Sequence, residues 1–169
     1  MEANSSPEFG AFTHVKKGAD GRAESQMVDV GAKKPSERRA LARAKVRFPK
    51  GVLQGLLDDG GPKGPILEVS RVAGVLGAKR TADLIPMCHP LGLHHVELHF
   101  EVAAPDLLEV RCSAAVSGPT GVEMEAMVGA SLAALALYDM TKGVDKGIVI
   151  ETIELLEKSG GKSGTWTKP

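Results

Sequence analysis

The chain has 169 residues, enough for one domain whose core needs neither metal nor disulfide. Lys and Arg total 21 and Asp and Glu total 21, so no global field draws the protein to DNA or to a membrane surface. Aromatics at 4% exclude stacking platforms for single-stranded nucleic acid; Cys88 and Cys112 form no C-x-x-C pair, which excludes a disulfide framework and fits a reducing cytoplasm.

Residues 1–26 are polar and Gly-rich without hydrophobic period, and are expected to be a flexible arm, with Ser5-Ser6-Pro7-Glu8-Phe9 reading as an expression-vector remnant. No basic start leads into an apolar h-region, so no secretory signal is expected, and no apolar run is long enough to span a bilayer. A single domain is expected over 27–169.

From Arg39 to Phe48, Ala40, Ala42, Ala44, Val46 and Phe48 alternate with Arg39, Leu41, Arg43, Lys45 and Arg47. Period two predicts a strand with one apolar and one mostly basic face. Pro49 then opens a short helix bearing Val52, Leu53, Leu56 and Leu57, and the Asp/Gly/Pro stretch over 58–64 predicts a loop. Ile66, Val69, Val72, Ala73 and Leu76 keep helical spacing to about Lys79. Over 85–90 two prolines rule out regular helix. Val96, Leu98, Phe100 and Val102, then Leu108, Val110, Cys112, Ala114 and Val116, predict a hairpin turning at Ala104-Pro105-Asp106. Thr120-Gly121-Val122-Glu123 reads as a capping box that starts a nearly buried helix at Thr120, ending by Gly143. A last strand is expected over 148–155, with a bulge near Glu151-Thr152, followed by a Gly/Ser/Lys loop over 158–164. The order predicts an α+β, ferredoxin-like split β-α-β fold, an antiparallel sheet with helices packed on one face.

Lys79-Arg80 at a helix end is often a simple complement to the helix dipole, but His89 between Cys88 and Pro90 in a stiff loop suits a site. Asp139 and Lys142, three apart, share one helix surface; the plain reading is an ion pair and the functional one an acid/base pair, in which crowding by other cations lowers the proton affinity of the lysine. The cap accounts for Glu123 but not for Glu125, and Lys63 stands alone in its loop. Lys158 and Lys162 among Gly and Ser could cradle phosphate through main-chain N–H groups, though the spacing is not that of a P-loop. A zinc site competes weakly: His94 and His95 point to opposite strand faces, while His95 and His99 lie about 13 Å apart along one.

Taken together, the motifs Met27-Val28-Asp29-Val30, the run from Lys79 to Pro90, Thr120 to Ala126, Leu137 to Lys142 and Lys158 to Gly164 closely resemble the molybdenum cofactor biosynthesis protein C (MoaC) family. The resemblance runs from about Phe12 to Trp166. It implies a ferredoxin-like fold and a cytoplasmic lyase that turns 3′,8-cyclo-7,8-dihydro-GTP, the product of an upstream radical SAM enzyme, into cyclic pyranopterin monophosphate with release of pyrophosphate. It further implies a hexamer built as a trimer of dimers, sites at the dimer interface, no cofactor, no metal, and neither nucleic acid nor membrane as partner. By resemblance Lys63 and Lys142 are the catalytic lysines, with Asp139 working beside Lys142. Glu123 and Glu125 would contact the guanine-derived ring, because paired acceptors suit its amidine edge, and Met87, Cys88 and Met124 would be further substrate-binding residues. Lys79, Arg80, His89, Lys158, Lys162 and Arg38 would face the triphosphate, whose leaving pyrophosphate needs cations. The wide separation of Lys63 from Lys142 leads to the expectation that different subunits bring them together, so that mixed Lys63→Ala and Lys142→Ala oligomers regain activity. A non-catalytic nucleotide- or phosphate-binding module is the alternative to an enzyme, and an oligomer with a histidine metal site the third reading.

Overall fold

The computed structural model describes residues 15–169; the expected vector remnant lies outside them. The chain order is β1 (Val15–Lys17), β2 (Ala23–Ser25), β3 (Ser36–Arg47), α1 (Val52–Asp59), α2 (Ile66–Lys79), α3 (Thr81–Leu84), β4 (His95–Ala104), β5 (Leu107–Gly118), α4 (Glu123–Thr141), β6 (Val149–Ser159) and β7 (Trp166–Thr167). The main sheet runs β4-β5-β3-β6-β7 with every neighbouring pair antiparallel. This is the ferredoxin-like arrangement, in which each helical crossover skips one strand. Among the described residues no helix is long and apolar enough to cross a membrane.

The alternation in β3 has the expected consequence. Ala40, Ala42, Ala44 and Val46 are buried under the helices, and small side chains there let α4 lie close on the sheet. α4 itself is apolar nearly all round, with Ala126, Ala130, Ala133, Ala134 and Leu137 fully buried. The opposite, basic face of β3 is paired in part by its neighbours, at Arg43 and Arg47. Arg43 contacts Glu109 at 3.2 Å and Glu154; Arg111 contacts Glu109 at 2.6 Å; Lys168 pairs with Glu154. The register of β3 with β6 slips twice, once beside Glu151 where the apolar phase slipped in the sequence, and once between Glu157 and Leu155.

Four features depart from the sequence expectation. The arm is not structureless throughout, since β1 and β2 pair from Val15↔Ser25 to Lys17↔Ala23. α3 adds one short turn directly after α2. β6 runs on to Ser159, and β7 continues the sheet beyond it. The capping box does not form: α4 begins at Glu123 with Val122 as N-cap and no side-chain cap hydrogen bond. Glu123 instead folds back over Gly121, where any Cβ would collide with its carboxylate. That frees Thr120 to line cavities at the head of the helix.

Candidate active site

Chemistry-bearing residues gather at the two ends of α4. At the first end, α2 stops at Lys79 and α3 starts at Thr81, so Arg80 lies between two helices, its N–H donating to the Gly77 carbonyl at 3.0 Å. Thr81 is buried and donates its hydroxyl to the Ala78 carbonyl at 3.0 Å, which locks this kink. Ile85 turns extended before Pro86, and Met87 takes φ 70, the one positive φ outside glycine among the described residues. A side chain held in the left-handed region marks a loop whose shape is enforced by its surroundings. His89 Nε2 lies 2.8 Å from the carbonyl oxygen of Val28, so the ring is tied to the irregular segment that precedes β3.

This loop separates two cavities. One, of about 330 Å³, is lined by Lys79, Arg80, Asp83, His89 and Glu125. The second, of about 290 Å³, is lined by Met87, Cys88, His89, Glu123, Met124 and Glu125, with Val28, Val30 and Lys33 closing it. Glu125 is only 4% exposed and faces both. Burial pushes its carboxyl pKa up, and the like charge of Glu123 adds to the effect. Burial, then Glu125, raises the Cys88 thiol as well, which keeps it a neutral wall group rather than a thiolate nucleophile.

A third cavity, of about 740 Å³, continues from the second past Lys33, Thr120 and Gly121 to Lys34, Arg38 and Lys162. Arg38 donates Nε to the Gly118 carbonyl at 3.0 Å and Nη2 to the Pro119 carbonyl at 3.1 Å. Gly161, at φ 71, lies against the same guanidinium, and a Cβ there would strike it. Arg38 thus clamps the β5–α4 loop to the glycine turn after β6. Lys158 lines none of these cavities; it reaches the Ser163 hydroxyl across the turn. The six cations grouped on one triphosphate by the sequence reading therefore separate: Lys79, Arg80 and His89 in the first cavity, Arg38 and Lys162 in the third, Lys158 bracing the turn.

At the far end of α4, Asp139 accepts from Lys63 at 2.6 Å and from Lys142 at 2.7 Å, one lysine on each carboxylate oxygen. Lys63 arrives there on the turn Gly61-Pro62-Lys63-Gly64, closed by a 3.0 Å bond from the Gly64 N–H to the Gly61 carbonyl, with Gly64 at φ 102. The hydrogen bonds from Lys142 and Lys63 hold the Asp139 carboxyl down at about 2. Asp139 in return raises the proton affinity of Lys142, the reverse of the lowering expected from crowding cations. Against the expectation that different subunits bring the two lysines together, both reach Asp139 within one chain.

What one chain does not unite is this triad and the cavities. Glu125 and Asp139 are 14 residues apart on α4, about 21 Å at 1.5 Å per residue. Sequence reasoning passed over Lys33, Lys34, Thr120 and Leu91 as cavity walls; the lysine pair that follows the Met27–Val30 motif after Gly31-Ala32 was the available signal. Among the described residues no three His, Cys, Asp or Glu side chains cluster in a way that could hold a metal ion.

The MoaC family model matches residues 27–161. The chain is also 47% identical over 155 residues to the cyclic pyranopterin monophosphate synthase of Novosphingobium aromaticivorans, an alignment covering 92% of this chain and 96% of that one.

Proposed function

Because the chain belongs to the MoaC family, we propose that it acts in molybdenum cofactor biosynthesis as a cyclic pyranopterin monophosphate synthase, a lyase working on 3′,8-cyclo-7,8-dihydro-GTP in the cytoplasm. The observation that carries this reading is the charge order along the joined cavities. Carboxylates of Glu123 and Glu125 line the middle, and cations line both flanks. A guanine-derived ring offers N–H donors to paired acceptors, and its polyphosphate seeks Lys and Arg. Met87, Cys88 and Met124 supply the apolar and polarisable walls of the ring cavity.

Closing the cyclic phosphate requires a ribose hydroxyl to lose its proton while it attacks the α-phosphate and pyrophosphate departs. The cations of the flank that receives the phosphates, Lys79 and Arg80 on one side or Arg38 and Lys162 on the other, stabilise the developing charge. Rebuilding the purine into a pterin needs protons delivered to and removed from ring atoms, the task of Lys63 and Lys142. Asp139 sets both ammonium groups at one point and, as a carboxylate, stabilises their charged form. His89 acts with its Nε2 committed to Val28, which leaves Nδ1 for the ligand.

From the separation along α4 we infer that the cavities of one subunit meet the triad of another, in a hexamer arranged as a trimer of dimers. Exposed apolar side chains support such self-association: Val69, Val72 and Leu76 at helical spacing on α2, with Leu135 on the adjoining α4. A functional link to the radical SAM enzyme that makes the substrate follows from the same reading.

The test is turnover of enzymatically prepared 3′,8-cyclo-7,8-dihydro-GTP, followed by pyrophosphate release and by fluorescence of the oxidised pterin. Both products are expected from the wild-type oligomer. Binding of GTP without either product would instead establish a nucleotide-binding module.

A further inference from the structure

The motif Met27-Val28-Asp29-Val30 has a shape but no role in the reaction described above. Its backbone is fixed at three points within six residues. The Val28 carbonyl is bonded to His89 Nε2 at 2.8 Å, Asp29 Oδ1 accepts from the Gly31 N–H at 2.8 Å, and the Lys33 N–H donates to the Val30 carbonyl at 3.0 Å. The segment is thus a strap laid across the mouth of the ring cavity, with a side-chain-stabilised turn at Asp29. The strap ends at Lys33, the one charged residue that lines both the acid-walled ring cavity and the third cavity, whose walls carry Lys34, Arg38 and Lys162 and no carboxylate. Among the described residues Lys33 makes no ion pair, whereas Arg38 already gives two donors to main-chain carbonyls.

We propose that Lys33 is a specificity-determining residue: its ammonium sits at the junction of ring and polyphosphate and directs the phosphates into the Arg38–Lys162 cavity, and Asp29 is the positioning residue that delivers it. The proposal rests on the nucleotide reading of the site and adds to it a direction for the ligand. A point charge on a flexible stem suits this junction, where the recognised group is a phosphate chain rather than a fixed planar carboxylate. The ordered strap reduces the conformational freedom that an exposed lysine would otherwise lose on binding.

The experiment titrates the intact oligomer calorimetrically with GTP, guanosine and inorganic triphosphate. Lys33→Met is expected to weaken GTP and inorganic triphosphate about tenfold, the loss of one charge-assisted contact, while guanosine affinity stays within about twofold. Lys33→Arg should restore most of the GTP affinity. Asp29→Ala should reproduce a smaller loss of the same phosphate-selective kind, and Asp29→Asn, which keeps an acceptor for the Gly31 N–H, should repair it. With the cyclic substrate Lys33→Met should raise KM about tenfold and leave kcat within about threefold. Equal losses for guanosine and GTP, no loss in Lys33→Met, or a wild type that binds neither GTP nor inorganic triphosphate would each overturn the proposal. A wild type that binds GTP with the predicted Lys33 dependence but turns nothing over would keep the proposal and remove the synthase reading.

Discussion

At the first turn of α4 two carboxylates share a concave wall, and among the described residues neither has a cationic partner; at its last turn one carboxylate serves two lysines that stand about half-exposed. Both ends are dense in charge, yet they meet it in opposite ways. Burial works against Glu125, and its carboxyl pKa rises. Pairing favours Asp139, and its pKa falls to about 2. A cavity that leaves acceptors unsatisfied is prepared for a ligand carrying donors. A triad neutralised within the chain is set before any ligand arrives, which suits a reagent more than a receptor.

The comparison breaks most visibly in turnover. Lys63→Ala or Lys142→Ala should each lower kcat by about 10³, the scale of a lost proton-transfer group, with GTP affinity nearly unchanged because neither lysine lines the cavities. A loss of binding equal to the loss of rate would merge the two ends into one. Mixing subunits sharpens the point. Equimolar co-refolded Glu125→Ala and Lys142→Ala chains should regain about a quarter of wild-type activity, because random pairing joins an intact cavity to an intact triad in one site of four. Lys63→Ala mixed with Lys142→Ala should regain none, since every triad then lacks a lysine. Recovery in the second mixture alone would show that the two lysines act from different subunits after all.

Gly161→Ala probes the cation-rich flank. It forces an L residue to φ 71 and drives a methyl into the Arg38 guanidinium, so stability should fall by about 1–3 kcal/mol in chemical denaturation. Triphosphate affinity should weaken as well, with guanosine binding spared. The smallest effect concerns Glu125. A carboxyl whose folded pKa exceeds its unfolded one destabilises the fold once both states are ionised, and the penalty disappears as pH falls through the raised folded value to the ordinary one. Glu125→Gln should therefore melt above wild type at pH 8, and the gap should close on acidification below about pH 4, near the unperturbed Glu value. A constant gap across that range would assign the effect to packing instead.

Much of this architecture was legible in the residues. Alternation from Ala40 to Val46 marked β3 because one face is buried and the other is not. The helical spacing of Ile66 to Leu76 located α2, and the slipped apolar phase at Glu151 located a bulge. The capping signature at Thr120 misled because Gly121 admits a backbone path on which Glu123 folds back, a contest that local pattern cannot decide. β7 holds two residues and depends on β6 for its pairing, so it has no periodicity of its own. The types of the site residues were readable, but their partners were not. Lys63 meets Asp139 across 76 positions, and five of the six cations divide between cavities only once β3, α2 and α4 are folded together.

α2 and α4 touch where Gly74 faces Gly129; a Cβ on Gly74 would stand 2.9 Å from the Gly129 carbonyl oxygen. Backbones packed this closely cannot slide past one another, so α4 behaves as a ruler of fixed length. One inserted residue would turn everything beyond it by about 100° and advance it by about 1.5 Å, swinging Asp139 off the Lys63 turn while Glu125 stayed in place. Change by insertion is therefore closed to this helix, whose length sets the spacing of the chemistry.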